Sequence, residues 1–140
     1  MKNVSALDDP KVGVRIKLSA LWMSVMFCYL YADYFLLFAP GKIQSMLNGK
    51  MPPLGDVTEG VLVFTSAMMA IPAVMIFLSV GLPATLSRWL NVVFGMLYTV
   101  IILLTMWSYI FMMFYGVIEV VLTSLIVWYA WTWPRETAAG

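Results

Sequence analysis

The sequence predicts an all-α integral membrane protein, a four-helix up-down bundle with both termini in the cytoplasm. Of its 140 residues, 63% are hydrophobic and 11% are charged, whereas a soluble domain carries about 25% charged residues. Lipid or partner helices must therefore cover much of the apolar surface. The net charge of +1 lacks the basic excess of a nucleic-acid binder, so we expect no nucleic-acid partner. The chain has no His and a single Cys, and we therefore expect no metal site and no cofactor.

Four segments are long and apolar enough to be spans, which need about 20 such residues. Within a single membrane domain (1–140) we place them at about 18–39, 58–80, 87–107 and 110–133. The last two come from one stretch, 89–134, whose only charge is Glu119. As one helix this stretch would be about 69 Å long, so it must fold back, and we place the turn near Trp107, Ser108 and Tyr109.

The only sizeable loop is the outer loop, 40–57. Apolar side chains at helical spacing predict one short helix within it, at Ile43, Met46 and Leu47. Asp56 and Glu59 have the spacing of a capping box at the start of the second span. At the start of the third span, Thr85 or Ser87 is expected to cap the helix.

The distribution of Lys and Arg predicts the orientation in the membrane. With four spans, six basic residues share one side: Lys2, Lys11, Arg15, Lys17, Arg88 and Arg135. Lys42 and Lys50 lie on the other side. Because cytoplasmic loops are rich in Lys and Arg, we expect a multi-pass protein of the cell inner (plasma) membrane.

Two carboxylic acids fall inside the predicted spans. Asp33 lies seven residues before Pro40, and Glu119 lies ten residues after Tyr109, which places both about 10–15 Å from the outer boundary. An ionised carboxylate at mid-membrane costs at least about 2.5–3.5 kcal/mol, so such residues usually face a bundle interior and have a function. The alternative is that both stay protonated and only hydrogen-bond neighbouring helices together.

Other polar residues are predicted at the same depth. Tyr29 precedes Asp33 by four residues and Tyr115 precedes Glu119 by four, so each pair shares a helix face. The second and third spans contribute Thr65, Ser66, Tyr98 and Thr99 at this level. We expect an internal polar layer that binds a ligand or a proton, with Asp33, Glu119, Tyr29, Tyr115, Tyr98, Ser66 and Thr65 as its site residues.

The second span contains Pro72 near its middle. Proline cannot donate to the carbonyl of Met68, so that oxygen is freed and a conformational kink is expected. Small residues that would allow close helix contacts are Ser66, Ala70, Ala73, Gly95 and Gly116.

Five runs of the sequence form a recognisable set: 16–22 (IKLSALW), 29–35 (YLYADYF), 40–46 (PGKIQSM), 116–122 (GVIEVVL) and 128–131 (WYAW). Together they resemble an uncharacterised bacterial family of small four-span membrane proteins. The resemblance covers about residues 14–135 and implies the same number of spans. It implies no activity, because the function of that family is unknown.

Two functions fit these observations. The first is a transporter or channel-like protein that uses intramembrane carboxylates to bind a proton or a cation. The alternative is a lipid- or ligand-binding accessory or structural subunit of a larger membrane complex. We expect membrane lipids and either a homo-oligomer or a membrane-complex partner around the chain. An enzyme is disfavoured, since the sequence has no nucleophile elbow and no phosphate-binding loop.

Overall fold

Four long helices and one short helix make up most of the computed structural model, which describes residues 10–134. They are α1 (Val14–Leu36), α2 (Lys42–Leu47), α3 (Glu59–Gly81), α4 (Ala84–Thr105) and α5 (Ile110–Trp131). The four long helices are long and apolar enough to cross a membrane. The all-α fold class and the four spans are therefore confirmed, and the chain is a multi-pass membrane protein.

The long helices form an up-down bundle. Helix α1 packs between α3 and α5, α4 packs along α5, and α3 meets α4 over a smaller area. Successive long helices run antiparallel, since Arg15 at the start of α1 contacts Val80 at the end of α3. We call this end of the bundle the inner end, and the end that carries α2 the outer end. Lys2 and Arg135, which enter the predicted charge bias, lie outside the described residues.

The long helices occupy 14–36, 59–81, 84–105 and 110–131, where the predicted spans are about 18–39, 58–80, 87–107 and 110–133. A short 3-10 turn at Met106–Ser108 connects α4 to α5, close to the predicted turn, and α2 is the predicted loop helix. Helix α1, however, ends at Leu36, and 3-10-type hydrogen bonds follow it, such as Ala39 N to Leu36 O. Pro40 limits the helix to Ala39 at most, because a proline disfavours the helical conformation of the residue before it, and residues 37–39 form the tighter 3-10-type bonds instead.

Two predicted helix caps are wrong. The N-cap of α3 is Thr58, whose hydroxyl accepts from Val61 N at 3.3 Å, while Asp56 pairs with Lys50 instead. Helix α4 begins after Pro83 with no side-chain cap. Proline already has the φ angle that a helix start needs, and Ser87 is free to bond elsewhere.

The core lies on one stripe of each helix. Its largest cluster consists of buried apolar residues from all four long helices: Leu18, Trp22, Val25, Met75, Val92, Tyr98, Ile126 and Ala130. Large hydrophobic side chains also cover the outside of the bundle, such as Phe77 and Leu104, which are 72% and 76% exposed. This surface suits lipid, because a soluble monomer rarely exposes so much contiguous apolar area.

Glycines allow close packing around α5. A Cβ atom on Gly95 of α4 would lie 2.8 Å from Val127 Cγ2, and one on Gly116 would lie 2.6 Å from Met106 Cβ. The predicted close helix contact is therefore confirmed for Gly95, whereas Gly116 packs against the turn that connects α4 to α5. The three small residues of α3 are exposed and do not pack in this way: Ser66, Ala70 and Ala73.

Candidate functional site

A buried carboxylic acid lies near the middle of the bundle. Glu119 follows the start of α5 by nine residues, about 14 Å from its outer end, and only 4% of its surface is exposed. Its Oε1 atom has no hydrogen-bond partner among residues 10–134, and the same is true of the buried Tyr29 hydroxyl on α1. Buried polar groups are nearly always paired, so two unpaired groups in one region require an explanation.

Three aromatic side chains pack on one another in the same part of the bundle. The Tyr29 ring packs edge-to-face on Tyr98 of α4 at 6.2 Å between centroids, and Tyr98 packs likewise on Trp22 at 5.9 Å. Glu119 lies within electrostatic range of Tyr29. We call Glu119, Tyr29 and Tyr98 the central acid site. It combines a buried carboxyl group with a buried hydroxyl that has no hydrogen-bond partner among residues 10–134.

Tyr98 also fixes the carbonyl that Pro72 leaves free. Its hydroxyl donates to Met68 O at 2.5 Å. Pro72 is buried within α3 and cannot donate to that carbonyl. The tyrosine therefore supplies the hydrogen bond that the backbone lacks, and joins α3 to α4 beside the acid.

Two threonines complete the polar groups at this depth. The hydroxyls of Thr99 on α4 and Thr123 on α5 lie 2.8 Å apart, and the Thr123 hydroxyl donates to Glu119 O at 2.9 Å. Both hydroxyls are therefore paired, unlike that of Tyr29. Among the buried side-chain polar atoms of residues 10–134, those without a partner are confined to the central acid site.

Asp33 does not lie inside the bundle, which corrects the prediction of two acids at matching depth. It is exposed on α1, one residue beyond the buried Ala32 and about 60° from the centre of the buried stripe at 100° per residue. Because α1 ends at Leu36, Asp33 lies only about 5 Å from the outer end of the helix. It remains within electrostatic range of Lys42 and of Glu119.

The other predicted site residues lie outside the central acid site. Ser66 is exposed on α3, and Thr65 donates within its own helix, to Val61 O at 2.8 Å. Tyr115 stacks on Phe35 at 6.5 Å, nearer the outer end. The structure thus brings together Glu119, Tyr29 and Tyr98 and leaves Asp33, Ser66, Thr65 and Tyr115 at its margins.

A second buried group of polar side chains was not predicted as a unit. This inner polar cluster consists of Trp22, Ser79, Ser87 and Asn91. The Asn91 Oδ1 atom accepts from Trp22 Nε1 at 2.7 Å and lies 3.1 Å from Ser79 Oγ. Asn91 Nδ2 donates to Ser87 O at 2.8 Å, and Ser87 Oγ donates to Ser79 O at 3.0 Å. The cluster connects α1, α3 and α4 on the inner side of the acid.

The sequence contains a pattern that indicates two of the contacts between α3 and α4, the Ser87–Ser79 bond and the Tyr98–Met68 bond. Ser79 and Ser87 each lie four residues from Pro83, and Met68 and Tyr98 each lie fifteen residues from it. In an antiparallel hairpin that turns at Pro83, equidistant residues face each other. The register of the hairpin could therefore have predicted both pairs.

Two arginines bond to backbone carbonyls at the inner end. Arg88 Nε and Nη2 donate to the carbonyls of Ala130 and Trp131 at 3.2 and 3.3 Å, and Arg15 Nη1 donates to Val80 O at 3.2 Å. These carbonyls belong to the last turns of α5 and α3, where oxygens lack helical partners and cations are favourable.

An open apolar cleft lies at the outer end, between the end of α1 and the start of α5. Its volume is about 390 Å³, and its lining residues are Phe35, Phe38, Ala39, Pro40, Tyr109 and Phe111. It is separate from the central acid site. Its lining offers almost no polar group to a ligand.

These features define a class of protein: a small multi-pass helical bundle with one buried carboxyl group among residues 10–134. The chain belongs to a family of unknown function (DUF6326), whose family model matches residues 11–140. This confirms the resemblance to an uncharacterised family of small membrane proteins. No curated protein and no solved structure matches the chain.

Proposed function

We propose that this chain is a small transporter or channel-like protein in which Glu119 binds and releases a proton within the membrane. The observation that supports this is the 4% exposure of Glu119 together with an oxygen that has no partner among residues 10–134. A residue kept only for packing would not need a carboxyl group, whose burial is costly. Intramembrane acids with free hydrogen-bonding capacity suit proton exchange.

A proton suits this site better than a metal cation. Glu119 and Tyr29 offer few oxygen ligands, whereas Ca²⁺ takes six to eight and Mg²⁺ needs an octahedral set. Within residues 10–134 there is no group of three or more His, Cys, Asp or Glu side chains that could hold a metal ion. The one salt bridge within residues 10–134 joins Lys50 to Asp56 and lies in the outer loop.

The proposal also covers the partners of the chain, its membrane and its orientation. The apolar exterior is consistent with contacts to membrane lipids and to further copies of the chain, and we propose a homo-oligomer in the cell inner membrane. The basic inner end supports an orientation with cytoplasmic termini. The proposed function assigns no covalent chemistry to the chain, so we propose that it is not an enzyme.

Proton flux into liposomes tests the proposal. Purified protein is reconstituted with a pH-sensitive dye inside, and a pH gradient is applied. We expect flux above that of protein-free vesicles, and we expect Glu119→Gln to abolish this excess because an amide cannot exchange the proton. Glu59→Gln is the matched control, since Glu59 is exposed in the first turn of α3. Wild-type flux at the protein-free level, or full flux in E119Q, contradicts the proposal.

A lipid-binding accessory subunit is the second candidate, and the apolar cleft supports it. Its volume of about 390 Å³ lies within the range of ligand pockets, and its lining suits an acyl chain. Preparations from native membranes that retain a tightly held lipid or a stable partner would favour this function.

A further inference from the structure

The positions of three side chains suggest how a proton reaches Glu119. Counted from the outer helix ends at 1.5 Å per residue, Asp33 lies at a depth of about 5 Å, Tyr29 at about 11 Å and Glu119 at about 14 Å. Asp33 is exposed, Tyr29 is half-buried and Glu119 is buried. The three groups therefore form a series from the outer boundary to the central acid site.

Tyr29 is suited to be the intermediate group. It lies four residues before Asp33, on the same face of α1, and within electrostatic range of both Asp33 and Glu119. Its hydroxyl is buried and has no partner among residues 10–134. The Tyr98 hydroxyl, by contrast, already donates to Met68 O. Of these two tyrosines, Tyr29 alone has an uncommitted proton.

In this conformation of the chain, the inner side of Glu119 is closed. Three large side chains lie there with at most 1% exposure: Trp22, Met75 and Ile126. The polar atoms on this side belong to the inner polar cluster and are hydrogen-bonded to one another. Thr99 and Thr123 are also paired. An uncommitted hydroxyl near the acid exists only on the outer side of the described chain.

We propose that Glu119 exchanges its proton with the outer side, through the Tyr29 hydroxyl and with Asp33 as the exchanging group at the boundary. This inference rests on the proposed function. Because neither the Tyr29 hydroxyl nor Glu119 Oε1 has a hydrogen-bond partner among residues 10–134, each transfer runs through one bridging water. Tyr29 gives its hydroxyl hydrogen to a water that passes one of its own to Glu119 Oε1, and on the same oxygen it takes one from a water that the Asp33 carboxyl group has protonated. One proton thus moves inward, and Tyr29 is unchanged after each step.

Four other titratable side chains lie near this route: Cys28, Tyr98, Tyr115 and Lys42. Cys28 of α1 lies within electrostatic range of Glu119, and Tyr98 of α4 lies beside Tyr29. Tyr115 shares a face of α5 with Glu119, and its ring packs on Phe35. Lys42 of α2 lies near Asp33, whereas α3 offers the paired Met68 carbonyl. Cys28 lies at about the depth of Tyr29, but it is about 140° around α1 from Asp33, whereas Tyr29 is only about 40° away. Lys42 belongs to α2 and lies outside the series.

Infrared spectroscopy of the full chain in lipid vesicles tests this route. The carboxylic C=O band that is lost in Glu119→Gln identifies the protonated acid, and its shift after transfer to D₂O gives the exchange rate. We expect Tyr29→Phe to slow this exchange about tenfold or more, as for loss of a positioned proton-transfer group. Tyr31→Phe is the matched control, because Tyr31 is 51% exposed on the same helix.

Asp33→Asn is the second variant, with Glu59→Gln as its control at the outer end of α3. We expect slower exchange in D33N and a wild-type rate in E59Q. If the Glu119 band is present and both Y29F and D33N exchange at the wild-type rate, the route is overturned while the proposed function stands. If wild type has no such band at any pH, the proposed function itself fails. Tyr29→Phe keeps the ring that packs on Tyr98, so its fold is expected to persist.

Discussion

Asn91 links three helices, α1, α3 and α4, towards the inner end of the bundle. Its carboxamide bonds to Trp22 of α1 and Ser87 of α4 and lies within hydrogen-bond distance of Ser79 of α3. All four residues are fully buried. Within a membrane no water can replace a lost partner, so one side chain determines whether several polar groups are satisfied.

Replacement of Asn91 by leucine is expected to destabilise the bundle. Asn91→Leu leaves the Trp22 indole N–H without an acceptor and should lower the free energy of unfolding by roughly 1–3 kcal/mol. Titration with SDS in mixed micelles, followed by tryptophan fluorescence, measures this change. Asn48→Leu is the control, since Asn48 is exposed at the end of α2. An equal loss in both variants would contradict the role of Asn91.

At the scale of elements, the closest packing is that of α4 against α5. Gly95 lies so near α5 that a Cβ atom would approach Val127 Cγ2 to 2.8 Å and Ile126 Cγ2 to 3.3 Å. Gly95 is also one turn before Thr99, whose hydroxyl contacts Thr123. Because Gly95 has no side chain, α4 and α5 can approach closely enough for the hydroxyls of Thr99 and Thr123 to contact each other.

Gly95→Ala is expected to force α4 and α5 apart. Overpacking of this kind costs about 1–3 kcal/mol, although alanine is the better helix former. The same SDS titration measures the loss of unfolding free energy. Gly60→Ala is the matched control, because its added Cβ would meet only Thr58 Oγ1, at 3.8 Å. If G95A is as stable as G60A, the close contact does not limit this helix pair.

At the scale of the whole molecule, the two ends differ in charge and in hydrogen bonding. Arg15 and Arg88 bind the last carbonyls of α3 and α5 at the inner end, and Lys17 lies 5.1 Å from the centre of the Tyr129 ring. The outer end carries the short helix α2 and the Lys50–Asp56 pair. The bias predicts that the inner end faces the cytoplasm.

Cysteine labelling of intact cells checks this orientation. In a Cys28→Ser background, a membrane-impermeant maleimide should label Asn48→Cys in the outer loop directly. Ala84→Cys, in the exposed turn at the inner end, should react only after the cells are permeabilised. The reverse pattern would mean that the basic residues do not determine the orientation of this chain.

The sequence predicts the number of spans well because hydropathy depends on composition alone. It does not predict which way a polar residue at the margin of a buried stripe faces. Asp33 illustrates this, since it lies one residue beyond the buried Ala32 and about 60° from the centre of the buried stripe of α1. Glu119 lies on the buried face of α5 that Gly116, Thr123 and Ile126 share at helical spacing. The partners of Asn91 required the register of three helices, which no single helix contains.

The hydrogen bond between Tyr98 and Met68 makes two distant positions depend on each other. With proline at 72, the tyrosine hydroxyl replaces the backbone donor that α3 lacks. An alanine at 72 would restore that donor, and the phenol would become dispensable to α3. Phenylalanine at 98 should therefore be tolerated in relatives that have no proline at 72 and selected against in those that have one. In an alignment of relatives, positions 72 and 98 should therefore covary.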